Sequence, residues 1–345
     1  MIRSAIALAT ERHDLDDATM DGAMEAILAG QASAAQIAAL AIALRMKGET
    51  TTELATAARV LRRHALTVAT PAGVVLDTCG TGGDGAGSMN VSTVAAIVVA
   101  ACGVRVAKHG NRAVSSRCGS ADVLEQLGVR VDATPAHLER LVADVGLGFF
   151  FAPAHHPALH HAGPVRRELG VRTFFNLLGP LANPAQATHQ LLGVYDASRV
   201  RQLAEVLSML GTRAAWVVSG AGPNGEGVLD EVSPFGPTRV AALADDGSVT
   251  EFDVTPAEFG LELASPGALA GGDAVRNAEI VRSVLAGEAV PARTAVLLNA
   301  GAALVVAGAA LTPREGAERA ANAIDTGLAR AKLDAVVGFN RAEDR

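Results

Sequence analysis

The chain has 345 residues, is 50% hydrophobic and carries a formal net charge of −7 at pH 7. A chain of this length and composition can bury a substantial core as one large domain or two ordinary ones. Its acidic balance argues against nucleic-acid binding, which would show a clustered basic excess. Its first residues are not typical of a signal peptide, because the short apolar stretch is interrupted by acids and a histidine by position 14. We therefore expect a cytoplasmic protein.

Residues 1 to about 66 are predicted to be helical. Three segments, DDATMDGAMEAILAG, SAAQIAALAIALRMKG and TTTELATAARVLRRHA, combine helical spacing of apolar residues with capping residues. Gly30 and Gly48 are placed to end the first two helices, and the threonines at 50–52 open the third. No group of side chains here is typical of a ligand site, which indicates a partner surface or one wall of a cleft.

From Pro71 onward, short apolar strands alternate with helical stretches. The strand runs are GVVLDT, VRVAKH, LGFFFA, HQLLGVY and AAWVVSG, and the helical stretches include VSTVAAIVVAACG. This alternation predicts an α/β domain with a mainly parallel sheet and helices on both faces. Ligands of such sheets bind at the carboxyl ends of the strands, where the motifs described below lie.

One apolar segment is a test of membrane association. Thr294–Leu311 contains 18 residues without a charge, which is at the lower edge of membrane-spanning length. The segment is rich in alanine and glycine, contains Asn299 and lacks flanking anchors. We therefore expect a helix buried in the α/β core and no membrane association.

The stretch GTGGDGAG, residues 80–87, contains five glycines directly after the first predicted strand. It satisfies the dinucleotide pattern G-x-G-x-x-G. A dinucleotide site also has an acid at the end of the next strand, where it binds the ribose, but here that strand ends in KHGNR, which carries cations. This argues against NAD and leaves NADP as an alternative. Ser88 stands where a P-loop has lysine. We predict an anion held by backbone amides of this glycine loop and of the helix start Asn90 to Thr93, with a flexible surface loop as the alternative.

A second motif, KHGNRAVSSRCGSADVLEQLG, begins at Lys108. One lysine and two arginines lie within ten residues, interleaved with hydroxyl and amide side chains, which is typical of an anion cradle. Ser120 is predicted to cap the next helix, so that one serine could serve both the cap and a phosphate. An ordinary polar loop with a capped helix is the alternative.

Asp230 and Glu231 follow a short predicted strand in GVLDEVS. In a regular strand their side chains would point to opposite faces, so a shared metal site requires a turn at this point. Their carboxylates suit Mg²⁺, which typically bridges protein carboxylates and substrate phosphates. Without a pyrophosphate nearby, the two acids would only be solvated charge.

Four histidines, His155, His156, His160 and His161, raise the question of a zinc site because two of them are four residues apart. A proline follows His156 and disfavours a helix there, and no acid lies in the cluster, so we expect these side chains to line a cleft instead. Further along, Arg166 and Arg167 offer a guanidinium, the group best matched to a carboxylate on a small planar substrate.

Together these motifs resemble those of the anthranilate phosphoribosyltransferase family along essentially the whole chain. The stretches that carry the resemblance are DTCGTGGDG, NVST, KHGNRAVSSRCGSADVLE, FAPAHHPA, VRRELGVRTFFNLLGPLANP and DEVSPFGPTRV. The resemblance implies a fold related to the nucleoside phosphorylases, with a helical domain of residues 1–68, joined by an insertion near 164–186, and an α/β domain of residues 72–345. It implies an active site at the hinge between the domains and a homodimer formed through the helical domains.

The resemblance also implies a phosphoribosyl pyrophosphate site along the glycine loop, the following helix start and the second motif. Its residues are Gly80, Gly83, Asp84, Ser88, Asn90, Val91, Ser92, Thr93, Lys108, His109, Gly110, Asn111, Arg112, Ala113, Val114, Ser115, Ser116 and Ser120.

For the metal, the resemblance implies two Mg²⁺ ions per subunit, held by Ser92, Asp230 and Glu231. For anthranilate it implies contacts from Gly80, Asn111 and Arg166, with His109, Pro153 and His156 as walls of an access channel. Leu159 falls where some relatives carry an aromatic residue, which leaves the shape of that channel open.

The implied reaction transfers the phosphoribosyl group to the amine of anthranilate, in tryptophan biosynthesis, with release of pyrophosphate. Mg²⁺ and amide or cationic donors are required to stabilise the negative charge that develops on the leaving pyrophosphate. The aromatic amine is already neutral, so no acid or base is expected, and Lys108, Asn111 and Arg166 would act by positioning. The alternatives are a pyrimidine nucleoside phosphorylase-like enzyme, a non-catalytic nucleic-acid-binding paralogue and an NADP oxidoreductase.

Overall fold

The computed structural model describes residues 1–113 and 117–342. Its N-terminal part consists of helices α1 (Ile2–Thr10), α2 (Asp17–Leu28), α3 (Ala34–Lys47) and α4 (Thr51–Arg63). The helix expected after the threonines at 50–52 begins there, because the Thr50 hydroxyl accepts the Glu53 N–H and the Glu53 carboxylate accepts the Thr50 N–H. Gly48 ends α3 as predicted.

Eight strands of the described residues form one sheet. They are β1 (Val75–Gly80), β2 (Arg105–Gly110), β3 (Leu147–Phe151), β4 (His189–Gly193), β5 (Ala214–Ala221), β6 (Val228–Leu229), β7 (Thr238–Leu243) and β8 (Val249–Val254). Their order is β3-β2-β1-β4-β5-β7-β8, with β6 paired to β5. The neighbours from β3 to β5 are parallel and the pairs that include β6, β7 or β8 are antiparallel. The mainly parallel sheet predicted from the sequence is confirmed.

The other helices of the described residues follow the strands along the chain. They are α5 (Val91–Ala101), α6 (Ser120–Gln126), α7 (Pro135–Arg140), α8 (Ala152–His155), α9 (Gly163–Leu169), α10 (Phe175–Leu181), α11 (Val200–Met209), α12 (Ala274–Leu285), α13 (Arg293–Val306), α14 (Pro313–Asp325) and α15 (Leu328–Ala342). Some of them pack on the sheet, whereas α9 and α10 pack on α3 and α4. A π turn lies at Leu141–Val145, and 3-10 turns lie at Pro157–His161, Ala197–Arg199, Pro223–Gly225 and Pro256–Phe259.

The hydrophobic core has two parts. One is built on α5 and α13 and continues into α12, α14 and α15. The other joins α1–α4 to α11 and to buried residues between 162 and 182, including Val165, Phe174 and Leu178. The apolar segment expected to be a buried helix is α13, and no helix in the described ranges is both long and apolar enough to cross a membrane.

The sheet order places a crevice at the carboxyl ends of β1 and β4. The chain moves from β1 to β2 and β3 on one side, and then returns to β4 and β5 on the other side of β1. Gly80 at the end of β1 is in register with Gly193 at the end of β4. This reversal of strand order is the point where ligands bind in open α/β sheets.

Candidate active site

The acidic pair lies directly over this crevice. Strand β6 ends at Leu229, so Asp230 follows in a bend, and its Oδ2 accepts the Gly82 N–H at 2.7 Å. Its backbone approaches β4 so closely that a Cβ on Gly193 would lie 1.6 Å from the Asp230 carbonyl oxygen. Only glycine at position 193 permits this contact.

Glu231 reaches the same crevice from the next position. Its Oε1 accepts the Ser92 N–H at 3.1 Å, in the first turn of α5. The turn that a shared site requires is therefore present. Asn299, the asparagine of the apolar helix α13, stabilises this bend because its amide accepts the Val232 N–H at 2.9 Å and donates to the Val232 carbonyl at 3.1 Å.

Asp84 of the glycine loop brings a third carboxylate to the acidic pair. Its Oδ1 accepts the Ala86 N–H at 3.0 Å, while its buried Oδ2 has no hydrogen-bond partner in the part of the chain that the structure describes. Burial raises the pKa of Asp230 above its usual range, and the neighbouring charge of Asp84 raises it further. Burial, and then Asp230, likewise raise the pKa of Glu231.

This set of carboxylates fits a hard cation that is completed by ligand oxygens. Among residues 1–113 and 117–342, no three His, Cys, Asp or Glu side chains are placed to hold a metal ion by themselves. Mg²⁺ usually takes only one or two protein carboxylates and fills its remaining positions with water and phosphate oxygens. Three neighbouring carboxylates with one orphaned oxygen therefore suit Mg²⁺ brought together with a phosphorylated ligand.

Lys108 supplies positive charge beneath the acids. Its side chain is buried, and its Nζ donates to the Thr78 carbonyl and, at 3.2 Å, to Ser92 Oγ. Burial lowers its pKa below the ordinary value. Sequence reasoning missed Asp77. Its Oδ1 accepts the N–H of His109, the residue after Lys108, at 3.1 Å. An acid inside the apolar run VVLDT was the available signal.

The start of α5 is held by one residue of the second motif and by one residue far outside the predicted motifs. Asn90 occupies the N-cap position without a capping bond; its amide donates to the Cys118 carbonyl at 3.1 Å and accepts from Asn277 at 2.9 Å. Val91 is the buried first residue of α5, and the buried Thr93 Oγ1 has no partner among the described residues. Asn277 lies 187 positions from Asn90, so no local pattern could reveal it.

The second motif departs from one expectation, the helix cap. Ser120 is the first residue of α6 and not its cap, because Gly119 takes the N-cap position and the Asp122 carboxylate accepts its N–H at 2.8 Å. Ser120 Oγ instead donates to the Asn111 carbonyl at 3.1 Å. The Arg112 guanidinium is bound by Glu125 at 2.6 and 2.7 Å and is directed toward α6.

The other predicted residues of the phosphate site are placed as follows. Gly80 and Gly110 end β1 and β2, Gly83 lies in the glycine loop, Ser88 forms a bridge to Ala270, and the Ala113 N–H donates to Asp122 at 3.0 Å. Val114, Ser115 and Ser116 lie outside the described residues.

A second group of predicted residues is arranged along α10. The His109 Nδ1 lies 3.0 Å from the Gly179 carbonyl, and the Arg166 guanidinium lies over the Phe175 ring with Cζ 5.8 Å from its centroid. Phe175 and Gly179 are one helical turn apart, so a single helix supports both side chains. The His156 ring packs edge-on against His109, with centroids 5.2 Å apart.

Burial controls the charge of this second group. It lowers the pKa of His109 well below its ordinary value and that of His156 to about 4, so both imidazoles are neutral at neutral pH. Arg166 is half-buried, and no carboxylate in the described ranges pairs with it. Pro153 is exposed on α8, and Leu159 packs against the helical part of the core.

The four histidines of the cluster make backbone and ring contacts. His155 Nδ1 lies 2.8 Å from the Leu66 carbonyl and His160 Nδ1 lies 2.6 Å from that of Pro157, while the His161 ring stacks on His160. The Nδ1 atoms of His155 and His160 are therefore engaged with backbone carbonyls, whereas the buried Nε2 of His155 has no partner among the described residues.

Comparison with known proteins gives a consistent result. Residues 72–330 match a family model described as "Glycosyl transferase family, a/b domain", and residues 3–65 match "Glycosyl transferase family, helical bundle domain". The chain is 52% identical over 336 residues to the anthranilate phosphoribosyltransferase of Myxococcus xanthus, and the match covers 97% of this chain and 98% of that relative.

Solved structures with a similar fold come from the same group of enzymes. The crystal structure of anthranilate phosphoribosyltransferase from Thermus thermophilus has a TM-score of 0.91 at 42% identity, covering 98% of this chain and 99% of that one. The enzyme from Saccharomyces cerevisiae in complex with PRPP and Mg has a TM-score of 0.89 at 28% identity, with coverages of 99% and 98%. The same yeast enzyme in complex with 4-fluoroanthranilate has a TM-score of 0.87 at 26% identity, with 99% of each chain covered.

Proposed function

We propose that the crevice between β1 and β4 performs the reaction of the family to which this chain belongs, the anthranilate phosphoribosyltransferases. The chain transfers the phosphoribosyl group of 5-phosphoribosyl 1-pyrophosphate to the amine of anthranilate, giving N-(5-phosphoribosyl)anthranilate and pyrophosphate in tryptophan biosynthesis. The observation that carries the assignment to this crevice is the convergence of Asp84, Asp230 and Glu231 on the glycine loop.

The pyrophosphate would lie between the glycine loop and the start of α5. Amides of the loop and the N-terminus of α5 attract anions, and the hydroxyls of Ser92 and Thr93 belong to the same helix start. Asp230 and Glu231, together with Ser92, would hold Mg²⁺, two ions per subunit, and the yeast relative bound to PRPP and Mg supports this use of the metal. When bound there, Mg²⁺ neutralises charge on the leaving pyrophosphate.

Anthranilate would lie along α10. Its carboxylate would bind the half-buried Arg166 guanidinium, which has no acid partner among the described residues and is supported by the buried Phe175 ring. The yeast relative bound to 4-fluoroanthranilate supports a planar aromatic acid as the ligand. Asn111 and Gly80, at the ends of β2 and β1, complete the proposed contacts.

Catalysis would depend on positioning more than on acid–base chemistry. The amine of anthranilate needs no deprotonation before attack, and neutral His109 and His156 can accept a hydrogen bond without adding charge. Lys108, fixed by Thr78 and Ser92, would donate toward the phosphorylated substrate as negative charge develops on its leaving group.

We extend the proposal to assembly. The residues near 164–186 pack with those of 1–68 in one hydrophobic cluster, which supports treating them as one helical domain beside the α/β residues 72–345. A homodimer formed through this helical domain and a cytoplasmic location remain predictions. Light scattering of the purified protein measures the first directly.

A fluorescence assay tests the function. The protein is mixed with Mg²⁺, phosphoribosyl pyrophosphate and anthranilate, and the loss of anthranilate fluorescence is followed. We expect turnover that requires all three components and stops with EDTA. Phosphorolysis of pyrimidine nucleosides, with no consumption of anthranilate, would contradict the proposal.

A further inference from the structure

Arg172 touches the glycine loop from the far side of the crevice. It lies between α9 and α10 and is half-buried. A Cβ on Gly83 would lie 2.5 Å from Arg172 Nη2, so the guanidinium occupies the space that a side chain at position 83 would fill. Gly83 also has φ +81°, which a glycine adopts without strain.

The guanidinium is held in place before any ligand arrives. It lies over the Tyr195 ring, with Cζ 4.0 Å from the centroid, which is a cation–π contact. The backbone that carries the ring is anchored in turn, because the Tyr195 N–H donates to Thr81 Oγ1 at 3.2 Å and the Thr81 N–H donates to the Gly193 carbonyl at 2.9 Å. Arg45 of α3 donates to the Arg172 carbonyl and fixes its backbone.

No acid neutralises Arg172 within the described residues. In the described ranges, the two cations of the second motif named above make no contact on this side of the loop. Arg112 is bound by Glu125, and Lys108 contacts Thr78 and Ser92 on the side of β1 and α5. The loop itself contributes the acid Asp84 and lies beside Asp230. A polyanionic ligand entering this acidic crevice therefore requires an added cation on the loop side, in addition to metal.

Resting on the proposed function, we propose that Arg172 is a further phosphoribosyl pyrophosphate-binding residue, whose guanidinium contacts phosphate oxygens beside Gly83. A planar fork with several N–H donors matches phosphate oxygens in a bidentate way. The stacking on Tyr195 leaves the edge of the fork available for such bonds. Arg172 and Arg166 then divide the two substrates between them, one guanidinium for the phosphorylated substrate and one for the carboxylate.

Calorimetric binding of phosphoribosyl pyrophosphate with Mg²⁺ tests the inference without turnover. We expect Arg172→Gln to raise the Kd about tenfold or more, and Arg172→Lys to give an intermediate value, because lysine keeps the charge but loses the fork. The matched control is Arg167→Gln, since Arg167 is exposed on α9, and its Kd is expected to equal that of the wild type. The KM for anthranilate is expected to stay within about twofold in all variants.

Three results would overturn the inference. The first is an unchanged Kd for phosphoribosyl pyrophosphate in Arg172→Gln. The second is a rise in the KM for anthranilate, instead of a rise in that Kd, in the same variant. The third is a loss of both melting temperature and binding in Arg172→Gln and in Arg172→Lys alike. The last result would show that Arg172 has only a structural role. A wild-type protein that binds phosphoribosyl pyrophosphate but never consumes anthranilate would count against the proposed function and not against Arg172.

Discussion

The two ends of the crevice handle charge in opposite ways. At the β1–β4 end, three carboxylates lie close together, and the pKa values of Asp230 and Glu231 are raised. Along α10, the helix supports one half-buried guanidinium and a buried pair of neutral imidazoles. The first end accumulates negative charge that only cations can relieve, whereas the second presents one positive charge in an apolar setting. In the proposed reaction, the leaving group and the nucleophile would therefore occupy environments of opposite charge character.

The largest effect is expected from removing negative charge at the first end. Asp230→Asn and Glu231→Gln should each lower kcat/KM by about a hundredfold or more, because Mg²⁺ loses a ligand. The melting temperature should be unchanged or higher, since repulsion between carboxylates is relieved. Steady-state kinetics at several Mg²⁺ concentrations and thermal melts measure both. Glu226→Gln, an exposed acid close in sequence, is the control, and activity retained within about tenfold in the site variants would contradict the metal assignment.

A smaller effect, confined to one substrate, is expected at the second end. Arg166→Gln should raise the KM for anthranilate about tenfold to a hundredfold, the range for losing a hydrogen bond to a charged group, and leave the Kd for phosphoribosyl pyrophosphate unchanged. Arg167→Gln again serves as control. An unchanged KM for anthranilate would show that its carboxylate is bound elsewhere.

The smallest effect is a difference in pH dependence between the two ends. Burial and neighbouring acids raise the pKa of Asp230 to about 7 and of Glu231 to about 8. Metal binds the deprotonated forms, so protons compete as pH falls, and the Mn²⁺ affinity of the protein alone should drop about tenfold or less per unit from about pH 8 to about pH 6. Electron paramagnetic resonance of free Mn²⁺ measures this.

The matching expectation at the second end is a flat profile. The pKa of His109 is held well below its ordinary value and that of His156 is lowered to about 4, so neither gains a proton in that window. The KM for anthranilate should therefore vary little over the same pH range. A KM that rises together with the loss of Mn²⁺ affinity would show that the two ends titrate as one unit.

Local sequence patterns predicted the fold because they depend on neighbouring residues. Apolar runs marked β1 to β5, and the strand order placed their motifs at one edge. The contacts that refine the site are distant in sequence. Asn299 stabilises the bend at Val232 across 67 positions, and Gly193 admits Asp230 because it lacks a side chain. The pairing of Arg112 with Glu125 also escaped prediction, because two charges on one motif can meet each other or a ligand.

Helix α10 sets a length within the site. Its Phe175 lies under Arg166 and its Gly179 carbonyl lies at His109, so the supports of the cation and of the imidazole are four residues apart, about 6 Å along the axis. That spacing belongs to the main chain and does not change with side-chain rotamers. If anthranilate binds along α10 as proposed, the helix fixes the spacing of these two supports, and trimming the side chains around it would leave that spacing as it is.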